Sequence, residues 1–241
     1  MHEQLRQDAE DAILFDATVS PQVDSSWFDA GHWHRQGALS TQSGGRGGVA
    51  VIHTPAGECV LRHYRRGGMV ARWMGDRYLW IGVDRTRSFR EFRLLQAMTQ
   101  LQLPVPQVVA ARYRRVGLYY RADLITRRLA NTHTLAQSLA QGRLDAELAQ
   151  AVGTLVARFH RAGVWHADLN AHNVLISPAG LYLVDFDRGC IRVPEQGWRM
   201  ANLQRLRRSL FKLGAAEGGE AVFDQATWTP LMDGYERILS A

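Results

Sequence analysis

Lysine is almost missing from this chain. In 241 residues there is one, Lys212, so every other fixed side-chain cation is an arginine. Cysteine is nearly as scarce, with only Cys59 and Cys190. One pair cannot build a disulfide framework, and a reducing compartment is the expectation. No apolar run is long enough to cross a bilayer as a helix. The opening MHEQLRQDAED is polar and acidic, which argues against a signal peptide. Internal repeats are missing too, and the single low-complexity patch is SGGRGGV at 43–49.

What is present is an ordinary globular composition, 46% hydrophobic and 22% charged, with a formal net charge of +6. Arginines cluster at Arg62/Arg65/Arg66, Arg112/Arg114/Arg115, Arg127/Arg128 and Arg205/Arg207/Arg208. Such clusters fit a solvated face, and they also fit an anionic partner: phosphate, nucleic acid or an acidic membrane. The planar guanidinium suits phosphate because it donates two hydrogen bonds at once. Nucleic acid has only the charge in its favour, since no aromatic-plus-basic recognition motif accompanies it, and none is expected as a partner.

The pattern predicts two halves. Residues 37–64 read as two or three antiparallel strands, with the glycine cluster in the first hairpin and a turn at TPAGE (54–58). SFREFRLLQAM (88–98) has helical spacing, with Phe89, Phe92, Leu94 and Leu95 on one face and Ser88 as its N-cap. The prolines of LPVPQVVAARY (103–113) predict an extended segment, and GLYYRADLIT (117–126) a strand. Beyond it, THTLAQSLAQ (132–141) and DAELAQAVGTLVARFHRAG (145–163) read as helices. The second carries Leu148, Val152, Leu155, Val156 and Phe159 on one face, begins on Asp145 and ends at Gly163. A short hairpin, VLIS then LYLVDFD, follows, and 196–241 turns helical again. The expected division is an unassigned extension (1–36), a strand-rich lobe (37–125) and a helical lobe (126–241).

The densest chemistry lies in HADLNAHNVLI (166–176), followed by LVDFDRG (183–189). Three readings compete. A zinc site would use His166, Asp168 and His172, but structural zinc favours cysteine and catalytic zinc ligands favour helical spacing. A nucleophile triad needs a serine or cysteine in a tight turn, and none is near. The third reading fits the order H-x-D-x-x-x-x-N, strand, turn, strand, D-F-x. Phosphoryl transfer from ATP needs a carboxylate to orient a hydroxyl and take its proton. It also needs a second carboxylate and an amide oxygen to hold magnesium on the triphosphate.

In these motifs the chain resembles the protein-kinase-like fold, an α+β architecture of two lobes. The resemblance implies that Asp168 is the catalytic carboxylate. Asn173 and Asp185 would be Mg2+ ligands, and His166 a structural member of the loop. Gly44, Gly45, Gly47 and Gly48 would belong to the loop covering the ATP phosphates. Where the family has a strand lysine paired with a helix glutamate, this chain has Arg62, with Glu91 as its expected partner. Two departures stand out: arginine for lysine at 62, and DFD for DFG at Asp185–Asp187.

The acceptor is narrowed in the same way. After DFDRG there is no long activation segment and no A-P-E, so a protein substrate is not expected. LRHYRRGG (61–68), SFREFRLL (88–95), LPVPQV (103–108) and NLQRLRRSL (202–210) are similar to the Kdo (3-deoxy-D-manno-octulosonic acid) kinases. This is a lipopolysaccharide core kinase family within that fold. That resemblance implies phosphorylation of Kdo at O-4 on a Kdo-bearing lipid A precursor. It also implies peripheral attachment to the anionic cytoplasmic face of the bacterial inner membrane. Heptose kinases, aminoglycoside-type phosphotransferases and a non-catalytic pseudokinase are the alternatives. Aminoglycosides are polycations, which a basic chain does not suit. Residues 205–213 and the arginines near 62–72 are candidate membrane contacts, and 205–213 reads equally as a core helix with a solvated basic face.

Overall fold

The computed structural model describes residues 2–41, 49–65 and 75–240. Two compact units are present: Met1–Gln96 with Pro106–Arg128, and Ala97–Val105 with Leu129–Ala241. Ala97–Val105 thus groups with the second unit although it lies inside the expected first lobe.

The first unit is built on an antiparallel sheet in the order β1-β2-β7-β8-β5-β4-β3, with β6 pairing β8. Its strands are β1 (Glu3–Gln7), β2 (Asp11–Asp16), β3 (Leu39–Thr41), β4 (Val49–Thr54), β5 (Gly57–His63), β6 (Tyr78–Leu79), β7 (Val108–Val116) and β8 (Tyr119–Arg127). Residues 3–16, unassigned from sequence, add a hairpin beside β7. One sheet face carries Ile13, Phe15, Ile52, Cys59, Leu61 and Ile125, covered by Trp27, Phe28 and Trp33. The Trp33 indole donates to the Trp27 carbonyl at 2.9 Å, so that cover is held by a polar bond as well as apolar area. The helix Arg87–Gln100 buries Phe89, Phe92, Leu94 and Leu95, and Phe89 meets Tyr113 of β7 at 5.3 Å.

Ser88 does not cap that helix. The helix begins at Arg87, and the fully buried Ser88 hydroxyl donates to the Arg112 carbonyl of β7 at 2.9 Å. A buried hydroxyl needs a partner, and the sheet offers a nearer one than the helix's own first turn.

In the second unit, Asp145 caps the helix Ala146–Arg161 by accepting from the Leu148 N–H at 2.8 Å, and Gly163 follows in the left-handed region. Val152, Leu155, Val156 and Phe159 are buried as the periodicity predicts, while Leu148 is half-buried. This helix crosses Thr229–Ser240 at two glycines. A Cβ at Gly153 would lie 1.8 Å from the Leu231 carbonyl oxygen, and one at Gly234 would lie 2.1 Å from that of Gln150. The backbones touch, so only hydrogen fits. Strands β9 (His133–Thr134), β11 (Val174–Ser177) and β12 (Gly180–Leu183) form one small sheet. Strands β10 (Val164–Trp165) and β13 (Cys190–Ile191) pair separately. The helix Gln196–Lys212 buries Leu203, Leu206 and Leu210.

The glycine crossing sets a stability test. Gly153→Ala is expected to cost about 1–3 kcal/mol of overpacking, seen as a lower midpoint in denaturant. Gly197→Ala meets open space on a helix and is expected to hold or slightly raise the midpoint.

Candidate active site

The loop 166–173 leaves β10 and enters β11, and its shape is set by its own side chains. His166 is buried, and both ring nitrogens are engaged. Nδ1 accepts from the Asp168 N–H at 3.1 Å, and Nε2 donates to the Val184 carbonyl at 3.0 Å. Those two bonds define a neutral imidazole, and burial, the largest influence, holds its pKa below the ordinary value. A ring with both nitrogens used has none left for a metal. Asn173 donates from Nδ2 to the Asp168 carbonyl at 2.9 Å, which leaves its Oδ1 as the oxygen for a cation. Asn170, without an assigned role from sequence, is a turn former. It donates to the same carbonyl at 2.9 Å and accepts from the His172 N–H at 2.8 Å.

Asp185 arrives from β12. The Val184 N–H donates to the Asn173 carbonyl at 3.1 Å, so Asp185 directly follows the residue bonded to Asn173. Its backbone is left-handed, with φ 63°. Phe186 is buried against the Phe159 ring at 5.7 Å and the His166 ring at 4.7 Å, while Asp185 stays exposed. The aromatic anchor therefore turns the preceding carboxylate outward. Positive φ falls at Asp185 and Arg188 and not at Asp187. The missing glycine of DFG thus imposes no backbone strain at 187. Asn173 Oδ1 and the Asp185 carboxylate are hard oxygen donors of the kind Mg2+ prefers, so the donor chemistry fits that ion.

A third element of the second unit holds this loop, and the sequence reading missed it. Asn202, Arg205 and Ser209 lie on one face of Gln196–Lys212 at i, i+3, i+7, and each bonds the loop. The buried Asn202 amide brackets the His166 backbone, accepting from its N–H at 3.2 Å and donating to its carbonyl at 3.0 Å. Arg205 donates to the Asp168 carboxylate from Nε at 2.9 Å and also from Nη2, both to Oδ1. Oδ2 is then the oxygen left to meet a hydroxyl. Ser209 Oγ accepts from the Ala171 N–H at 3.1 Å. Behind Asn202, burial drops the His160 pKa to about 4 and pushes that of Tyr235 up to about 12. A neutral His160 then donates from Nε2 to Asn202 Oδ1 at 3.4 Å and accepts at Nδ1 from the Tyr235 hydroxyl at 2.9 Å. The expectation of 205–213 as a membrane-facing cationic stretch needs correction at two residues. Arg205 is engaged by Asp168, and Arg207 by Glu220 and Asp224 at 2.8 Å each. Arg208 and Lys212 are exposed.

In the first unit, Arg62 of β5 does pair with Glu91 of the helix Arg87–Gln100. Tyr64 joins them: its hydroxyl donates to Glu91 Oε2 at 2.6 Å and accepts from Arg62 Nη2 at 3.1 Å, and its ring lies 4.7 Å under the guanidinium. Glu91 is buried, and a buried carboxylate keeps its charge only when paired, as it is here. Next to Arg62, His63 sits between two carboxylates, Asp123 at 2.7 Å and Asp76 at 2.9 Å. Arg112 binds the other oxygen of Asp123 at 2.8 Å. The hydrogen bond to Asp123, then its charge and that of Asp76, raise the His63 pKa against the opposing effect of burial. Gly44, Gly45, Gly47 and Gly48 lie outside the described residues.

Comparison with known proteins agrees with this geometry. Residues 30–235 match the family model described as "Lipopolysaccharide kinase (Kdo/WaaP) family". A 3-deoxy-D-manno-octulosonic acid kinase of Xanthomonas axonopodis pv. citri (strain 306) is 49% identical over 212 residues, 88% of this chain and 84% of that protein. The protein of the same name from Stenotrophomonas maltophilia (strain R551-3) is 48% identical over 213 residues, with the same coverage. A solved structure, WaaP in complex with acyl carrier protein, superposes with a TM-score of 0.52 at 20% identity, covering 85% of this chain and 82% of that one. The fold is the α+β, protein-kinase-like one that the motifs predicted.

Two outcomes follow from the contacts above. Because His63 has a raised folded pKa, its stabilising contribution is full below the unfolded value near 6.5. It is lost as pH rises through the folded value. Denaturant midpoints of the wild type are expected to fall across that window, and those of His63→Gln to fall less. For Arg205, removal of the clamp is expected to act on turnover. Arg205→Gln should lower kcat about 10- to 100-fold with the KM for ATP within about two-fold, and Arg205→Lys should recover part of the loss. A raised KM with unchanged kcat would place Arg205 in nucleotide binding instead.

Proposed function

The chain belongs to the lipopolysaccharide kinase (Kdo/WaaP) family and is an ATP-dependent phosphotransferase, and from that premise we propose that its acceptor is Kdo. In this reading it transfers the γ-phosphoryl group of ATP to O-4 of Kdo on a Kdo-bearing lipid A precursor. The reaction belongs to lipopolysaccharide core assembly and takes place at the cytoplasmic face of the inner membrane. The relatives' names support the sugar, and the net charge of +6 suits a carboxylated, phosphorylated acceptor. Among the described residues no helix is long and apolar enough to cross a membrane, so attachment in this reading is peripheral.

One observation carries the mechanism: Asp168 is held through a single carboxylate oxygen. Arg205 occupies Oδ1, and Oδ2 accepts the proton of the acceptor hydroxyl as it attacks. Asn173 Oδ1 and the Asp185 carboxylate would hold Mg2+, which when bound neutralises triphosphate charge. Arg62, fixed by Glu91 and Tyr64, takes the place of the usual lysine toward the α- and β-phosphates. Its fork is bidentate and permanently charged, so the contact does not depend on pH. Gly44, Gly45, Gly47 and Gly48 supply backbone N–H groups to the same phosphates.

The test is transfer of label from ATP, with Mg2+, into a Kdo-lipid A precursor. Label is expected in the lipid fraction at O-4. Asp168→Asn is expected to lower kcat by about 100- to 10,000-fold while ATP still binds. Label entering only heptose-bearing or aminoglycoside acceptors would overturn the acceptor, and an active Asp168→Asn would overturn the base. ATP binding without transfer to any core sugar would make the protein a pseudokinase.

A further inference from the structure

Four large apolar side chains stand in solvent at one corner of the first unit. Leu79 is 55% exposed, Ile81 56%, Val116 63% and Leu118 71%. The pairing brings them together. β7 and β8 turn at Gly117, with φ 61°. β6 lies along the start of β8, with Leu79 opposite Tyr119, and the Trp80 N–H donates to the Leu118 carbonyl at 2.8 Å. Val116 is also opposite Tyr119, so Leu79, Tyr119 and Val116 share a face.

This corner is built firmly. The alternate residues Tyr78 and Trp80 point the other way, onto a packed aromatic base. Trp80 meets Tyr113 at 4.9 Å and Tyr120 at 6.0 Å, and Tyr78 meets Tyr120 at 5.6 Å. The aliphatic tip is therefore held out on a rigid support, and it is not a frayed loop whose apolar residues could fold back.

Its surroundings are basic. Residues 76–87 and 112–121 carry seven arginines and two aspartates. Both aspartates are ion-paired, Asp76 with Arg121 and His63, and Asp84 with Arg93. Arg115 lies 4.9 Å over the Trp80 ring, and Arg77 and Arg85 are exposed. Arg112 is buried on Asp123, and the adjoining β1–β2 hairpin adds Asp8, Glu10 and Asp11, the last paired with Arg114 at 3.3 Å.

We propose that this corner, the β7–β8 turn with β6 and Ile81, is a docking surface for an anionic lipid bilayer. The aliphatic tip enters the acyl boundary, Tyr119 sits at headgroup depth, and the exposed arginines meet lipid phosphates. Charge decides against the other occupants. A second copy would set the exposed Arg77 and Arg85 and the half-buried Arg115 against their own counterparts. A nucleic acid would take the arginines and leave four aliphatic side chains in water. The surface differs from the stretch 205–213 in having four large aliphatic side chains more than half exposed, where that stretch has Leu213 at 38%. It does not rest on which sugar is the acceptor.

Flotation of the full-length protein with phosphatidylcholine vesicles, with and without phosphatidylglycerol, tests it. Binding is expected only with the anionic lipid and is expected to weaken in salt. Val116→Asp with Leu118→Asp, both at exposed turn positions, should reduce partitioning about ten-fold or more. Val116→Ser with Leu118→Ser, which adds no repulsion, should do so by less. The circular dichroism spectrum and transfer to a water-soluble sugar acceptor should stay unchanged, and that second readout reports separately on the Kdo reading. A wild type that floats with neither vesicle, or variants that float as well as wild type, would overturn the surface. So would equal binding to pure phosphatidylcholine, or a wild-type dimer that the variants break.

Discussion

The catalytic-loop region of the second unit depends on one buried amide. Asn202 takes both the N–H and the carbonyl of His166 and fixes the entry of the loop onto the helix Gln196–Lys212. The rest follows in order along the chain. With His166 placed, its ring receives the Asp168 N–H and reaches the Val184 carbonyl, which sets the distance from the loop to the strand carrying Asp185. The Asp168 carbonyl then collects Asn170 and Asn173. Loss of the Asn202 side chain would leave two backbone groups buried and unpaired, each costing about 1–3 kcal/mol, so the amide specifies geometry as much as it stabilises. His160 donates to the same Oδ1 from behind, and burial keeps its ring neutral.

The legible part of this site was local. Asp168 and Asn173 are joined by a side-chain bond across five positions, and Asp185 follows through one hairpin, so spacing carried real geometric information. The helix Ala146–Arg161 was legible for a similar reason: its cap, its apolar stripe and the glycine that follows it all lie within 145–163. Arg205 was not legible. Its partner is 37 residues away, and in sequence it is one arginine among three in RLRRSL. The available signal was the i, i+3, i+7 row of Asn202, Arg205 and Ser209, which runs beside the buried Leu203, Leu206 and Leu210 and marks a polar face with a partner of its own. The N-terminal hairpin escaped for another reason. β1 is exposed along its whole length, so its side chains show no inside–outside alternation to read.

Arginine richness also divides into separate roles once partners are known. Arg112 is buried on Asp123 and stacks over Phe28, Arg62 is locked to Glu91 and Tyr64, and Arg207 is shared by two acids. These cations are neutralised at short range by their partners and do little for long-range attraction. The net charge of +6 is therefore expressed by the remainder, the exposed guanidiniums, and its functional meaning depends on where they lie and beside what.

The two departures from the kinase pattern bear on activity differently. An arginine at 62 is longer and more demanding of partners than lysine, and the chain supplies an extra one. Tyr64 sits two residues on, on the same strand face, gives the guanidinium a ring to stack on and shares the Glu91 carboxylate. The substitution is thus accommodated by a neighbour and leaves the strand-to-helix ion pair in place. Asp187 needs no such help. The left-handed turns fall on either side of it, and Phe186 anchors the segment through its ring contacts. A glycine there would add freedom that this backbone does not use. Neither departure removes a group that phosphoryl transfer requires, which is why both are compatible with a working kinase.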